Sequence, residues 1–120
     1  MKKNILIVFG GRSYEHDISI VSTFQCLKSF DEYLYNIVLA YIDISGNWRL
    51  IKSRNLNGFL QERFRAVNVE LGINDGVLYR KNKNKLKRLC CIDVVFPIIH
   101  GLNCEDGNLA GYLNIVNIQI

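Results

Sequence analysis

His100 stands where an apolar run meets a polar loop. Asp93-Val94-Val95-Phe96-Pro97-Ile98-Ile99 leads into it, and Gly101-Leu102-Asn103-Cys104-Glu105-Asp106-Gly107 follows. The arrangement puts an imidazole, two carboxylates and two glycines at the carboxyl end of a buried parallel strand, the edge where open α/β sheets bind ligands. Two readings of His100 are open. Its imidazole could donate to a ligand carboxylate or carry a proton, or it could be tied to nearby backbone. Glu105 and Asp106 are neighbours, so one can cap the next helix while the other turns inward.

A second segment of the same kind begins the chain: Ile5-Leu6-Ile7-Val8-Phe9, then Gly10-Gly11-Arg12-Ser13-Tyr14-Glu15-His16-Asp17. Glycines let a backbone approach a ligand closely, and the helix start that follows exposes N–H groups to an anion. Glu15 falls in the first helical turn, where a carboxylate is favoured by the helix dipole. It is either that and nothing more, or the holder of a ligand ammonium. His16 beside Asp17 has no further residue at metal-ligand spacing. The glycines match neither the dinucleotide fingerprint nor the phosphate loop.

The elements that must position these loops are legible. Ile5–Phe9 is an unbroken apolar run and reads as a strand buried on both faces. Ile18, Val21, Phe24 and Leu27 recur at helical spacing, predicting an amphipathic helix over Glu15–Ser29 with Ser13 as N-cap. Tyr35–Ile42 reads as a second strand and Trp48–Ile51 as a short returning one, with turn chemistry at Asp43–Asn47. A short helix is expected over Asn55–Phe64 and a hairpin from Val67–Leu71 and Val77–Arg80. Ile92–Ile99 is the next buried strand, with Pro97 near its end or beside a bulge. A helix through Leu109, Leu113 and Val116 and the start of a strand at Ile118 close the chain. The order βαβ, a meandering middle, then βαβ predicts an α/β sandwich with a mostly parallel sheet.

Composition narrows the function classes. The chain has 120 residues and a hydrophobic fraction of 49%, the size and character of one folded domain. No run is long enough for a membrane span, so a cytoplasmic protein is expected. The net charge of +4 is local: six of the 15 basic residues are Arg80, Lys81, Lys83, Lys85, Lys87 and Arg88. That stretch is a solvated hairpin arm or an anion or partner contact, and it lacks the interleaved aromatics of a nucleic-acid platform. Cys26, Cys90, Cys91 and Cys104 show no Cys-x-x-Cys pair and are expected to be reduced.

The two blocks Phe9-Gly10-Gly11-Arg12-Ser13-x-Glu15-His16-Asp17-Ile18-Ser19 and Val95–Gly111 together resemble the N-terminal domain of D-alanine–D-alanine ligases. The resemblance spans the chain and is weakest between about 45 and 90. It implies a Rossmann-like, three-layer pre-ATP-grasp domain with a β-hairpin excursion. The Trp48-containing middle also resembles the subgroup that includes D-alanine–D-serine ligases. Such a ligase uses ATP to convert one D-alanine to an acyl phosphate, which the amine of a second attacks.

By the resemblance, Glu15 holds the ammonium of the first D-alanine and His100 lies near its carboxylate. Ser19 and Gly101 join the substrate site, and Glu105 orders it. ATP and Mg²⁺ (or Mn²⁺) are implied for the full enzyme, held by ATP-grasp domains beyond residues 1–120. This domain alone is expected to bind neither and to be inactive. D-alanine, the remaining domains and a second subunit are the expected partners, with no nucleic acid or membrane. Cys104 departs from the family's usual glycine.

Overall fold

The computed structural model describes residues 2–11 and 15–98. Strand β1 (Lys3–Gly10) lies between β2 (Tyr35–Ile42) and β7 (Val94–Ile98), parallel to both, and β3 (Trp48–Ile51) adds antiparallel to β2. The sheet order β3-β2-β1-β7 is therefore mostly parallel, as expected. Parallel register brings the carboxyl ends of β1, β2 and β7 to one edge: Gly10 pairs with Ile42, and Phe9 with Ile98.

The unbroken apolar run of β1 has a direct cause. Ile5, Ile7 and Phe9 face one core, together with Ile20 and Phe24 of helix α1 (His16–Cys26) and Phe59 of helix α2 (Leu56–Glu62). Leu6 and Val8 face a second core with Ala40, Val69, Leu78 and Ile92. A strand covered on both sides needs no polar alternation. Asn55 caps α2 by accepting the Gly58 N–H at 2.8 Å.

The second cover is a sheet where the sequence suggested a two-stranded hairpin. Strands β4 (Val69–Leu71), β5 (Val77–Asn82) and β6 (Lys85–Cys91) pair antiparallel in that order. The basic run forms the outer half of the β5–β6 hairpin and is exposed throughout, as a solvated arm would be. Its turn places Lys83 at φ 55°. Pro97 lies in β7, one residue from its end, on a strand that is the sheet's edge among the described residues.

Three expectations need correction. The buried face of α1 is His16, Ser19, Ile20, Thr23, Phe24 and Cys26, while Ile18 and Val21 are 57% and 45% exposed. The apolar stripe at Ile18 and Val21 does not set the helix's rotation, because small and hydrogen-bonded side chains on the other face approach the strand ends more closely. Cys26 is disulfide-bonded, against the expectation of four reduced thiols. Cys90 and Cys91 are free. Pairing depends on tertiary proximity, which spacing does not reveal. The helix starts at His16 with Glu15, not Ser13, in the N-cap position, one residue later than expected. The C-terminal helix and the last strand lie outside the described residues.

Candidate functional site

The carboxyl edge of the parallel sheet is assembled by short polar contacts between strand ends and α1. Gly10 has φ +91°, and a Cβ there would lie 2.3 Å from the Ile42 carbonyl oxygen. Only glycine lets β1 end so close to β2. The next residue, Gly11, donates its N–H to that same carbonyl at 2.8 Å.

Ser19 fastens the same edge from the helix side. It is fully buried. Its hydroxyl accepts the Gly10 N–H at 2.9 Å and donates to the Ile98 carbonyl, joining the ends of β1 and β7 through α1. The family resemblance implies Ser19 in the substrate site, and both of these bonds are internal to the protein.

Glu15 occupies the position just before α1, with φ −87° and ψ 10°, and its carbonyl accepts the Ser19 N–H at 2.9 Å to start the helix. The residue is half-buried, its Oε2 is shielded from solvent, and its side chain does not cap the helix. The carboxylate therefore sits at the positive end of α1, beside the strand ends.

His16 is 7% exposed and has a partner on each ring nitrogen. Nδ1 donates to the Gly11 carbonyl at 2.5 Å, and the Tyr41 hydroxyl lies 2.9 Å from Nε2. These contacts replace the metal role that a His16–Asp17 pair could suggest. Among the described residues no group of three or more His, Cys, Asp or Glu side chains could hold a metal ion.

Tyr41 is the participant that sequence reasoning missed. Its ring is gripped by Phe59 (centroids 4.9 Å apart, nearly perpendicular) and Phe9 (5.6 Å). Burial pushes its phenol pKa up, against the Arg63 guanidinium beside it, which pulls it down. No local motif marks a strand tyrosine as part of a site. The one available signal is a hydroxyl-bearing aromatic at the carboxyl end of a predicted parallel strand.

Glu15 and Ser19 thus share one sheet edge. His100, Gly101 and Glu105 lie outside the described residues. A cleft of about 640 Å³, lined in part by Trp48, Asn68, Glu70 and Lys81, contains none of the candidate residues. No helix among the described residues is long and apolar enough to cross a membrane.

The family model described as D-ala D-ala ligase N-terminus matches residues 4–120. A D-alanine–D-alanine ligase of Oceanobacillus iheyensis is 36% identical over 126 residues, covering 98% of this chain and 34% of that protein. One from Borrelia turicatae is 38% identical, covering 98% of this chain and 31% of its own. The chain therefore spans about a third of the length of these curated relatives. Among solved structures, the VanG D-Ala:D-Ser ligase of Enterococcus faecalis superposes with a TM-score of 0.69 at 26% identity, covering 96% of this chain and 34% of that one.

Proposed function

Because the chain belongs to the D-alanine–D-alanine ligase N-terminal family, we propose that it is the first-substrate domain of an ATP-dependent D-alanine–D-alanine ligase of peptidoglycan precursor synthesis. The observation that carries this reading is the placement of Glu15. Its carboxylate stands at the sheet's carboxyl edge, at the start of α1, a helix that His16 and Ser19 tie to the ends of β1, β2 and β7. A carboxylate so placed suits the ammonium group of an amino acid, while helix N–H groups suit its carboxylate.

In this reading Glu15 binds and orients the first D-alanine. His100, Gly101 and Glu105 complete that side of the cleft, with His100 toward the substrate carboxylate. Ser19 contributes by aligning the ends of β1 and β7. The reaction itself transfers the terminal phosphoryl group of ATP to a carboxylate oxygen of the first D-alanine, releasing ADP. The amine of the second D-alanine then attacks the acyl carbon, and phosphate leaves.

The described residues offer no set of carboxylates for Mg²⁺. ATP and the metal are assigned to ATP-grasp domains of the same polypeptide. The domain alone is inactive in this scheme, and the complete enzyme is a cytoplasmic homodimer.

The test is Glu15→Gln in a ligase polypeptide that carries this chain as its N-terminal domain. D-alanine-dependent phosphate release is expected to need at least tenfold more D-alanine, from the loss of a charge-assisted contact of about 1.5–3 kcal/mol. Half-saturation at the wild-type concentration would remove Glu15 from the site. Superposition on a D-Ala:D-Ser ligase supports a second reading, in which D-serine is the second substrate. Competition between D-alanine and D-serine as acceptors in the same assay distinguishes the two.

A further inference from the structure

The start of α1 is tied to β1 and β2 by a hydrogen-bond chain that begins on Tyr41 of β2. His16 Nδ1 faces the Gly11 carbonyl at 2.5 Å, and a carbonyl can only accept, so Nδ1 carries the proton. In the neutral ring Nε2 is then the acceptor, and the Tyr41 hydroxyl 2.9 Å away donates to it. The chain of donation runs from Tyr41 to His16 to Gly11. The Gly11 carbonyl thereby fixes the histidine tautomer, and the Tyr41 hydroxyl holds the ring from its other nitrogen.

Two further observations separate this pair from ordinary core packing. First, Gly11 is clamped from both sides, its N–H by the Ile42 carbonyl and its own carbonyl by His16. Four residues separate Gly11 from His16, and the last of them is Glu15. Glu15 directly precedes His16 at the start of α1, so tying the His16 ring to Gly11 and Tyr41 sets where Glu15 stands. Second, the Tyr41 ring has little freedom to drift, since Phe9 and Phe59 hold it on two sides and the His16 ring meets it edge-on at 5.4 Å.

We propose that Tyr41 and His16 are positioning residues for the first amino-acid substrate: together they hold the start of α1, and with it the Glu15 carboxylate, against the strand ends. The proposal rests on the assignment of Glu15 to the substrate ammonium. Neither side chain need touch substrate. Their effect passes through backbone placement, where small displacements carry large penalties.

The test uses the same full-length ligase polypeptide, with D-alanine-dependent and ATP-dependent phosphate release and melting temperature measured in parallel. Tyr41→Phe keeps the aromatic packing and deletes the hydroxyl. It is expected to raise the half-saturating D-alanine concentration about tenfold while leaving that for ATP within about twofold. His16→Asn retains a side-chain N–H for the Gly11 carbonyl, so it is expected to keep D-alanine binding better than His16→Leu. A fall in melting temperature with unchanged D-alanine saturation in Tyr41→Phe, or equal behaviour of His16→Asn and His16→Leu, overturns the proposal. Glu15→Gln, run alongside, separates the two failures. If it too leaves D-alanine saturation unchanged, the site assignment falls and the positioning role with it. If Glu15→Gln is impaired and Tyr41→Phe is not, the positioning role alone falls.

Discussion

Replacing Ser19 with alanine removes one oxygen atom from a site where three elements meet. In the wild-type protein that oxygen accepts the Gly10 N–H and donates to the Ile98 carbonyl, with no solvent access to replace it. Leaving the buried Gly10 N–H without an acceptor costs about 1–3 kcal/mol. The Ile98 carbonyl has a second lone pair, so its loss is smaller, about 0.5 kcal/mol. Alanine's better helix propensity returns roughly 0.5 kcal/mol. The net expectation is a destabilisation of about 1–3 kcal/mol, a large share of a typical domain's stability. Urea unfolding of the 120-residue chain measures it, provided the m-value is unchanged. Hydrogen exchange supplies the local readout, since the Gly10 amide should lose protection more than the β1 interior. A loss under about 0.5 kcal/mol with Gly10 protection intact would refute the view that this hydroxyl fastens the sheet edge.

Three other outcomes follow from the same geometry. Gly10→Ala combines a positive φ with a Cβ 2.3 Å from a backbone oxygen and is expected to cost about 3 kcal/mol or more. Gly46→Ala, at φ +92° in the β2–β3 turn, is expected to cost about 1–2 kcal/mol, and comparable urea midpoints for the two would discount the clash. Lys83→Gly should raise stability by about 0.5 kcal/mol, because a two-residue turn with its first residue at φ 55° suits glycine, and a lowered midpoint would contradict this. At Asp43, burial raises the carboxyl pKa, but hydrogen bonds from the Asn47 N–H, Arg49 and the Asn47 amide outweigh it and the net direction is down. A depressed folded pKa contributes stability that is complete above the unfolded value and is lost as pH falls through the folded one. Stability should therefore decline below about pH 4, and Asp43→Asn should flatten that decline in acid titrations monitored by circular dichroism.

Legibility in the sequence followed the range of the interactions involved. The strands at Ile5–Phe9 and Tyr35–Ile42 were readable because burial on both faces demands continuous apolar runs. Helix α2 began at Asn55, where a capping side chain marks it locally. The rotation of α1 was not readable. Its apolar residues Ile18 and Val21 suggested one face, whereas His16 and Ser19 turned inward because each found hydrogen-bond partners on the strand ends there, with Ile20 and Phe24 packed beside them. Strand β6 was also hidden, since six basic residues among its neighbours mask the pairing that cross-strand geometry supports. The Cys26 disulfide belongs to the same class of long-range facts.

For the candidate site, the sequence alone determined which residue types stand where. A glycine pair after a buried strand, then Glu15 and Ser19 at helix-start spacing, together with the second block around His100, sufficed for the family. Those are local patterns, set by chain order and by the few residues tolerated at a strand-to-helix turn. Tertiary structure alone decided what holds them. Ser19 meets Ile98 across 79 positions, and Tyr41 reaches His16 across 25. Contacts of that reach form only when parallel strands align their carboxyl ends, and no spacing along the chain records which hydroxyl will face which carbonyl.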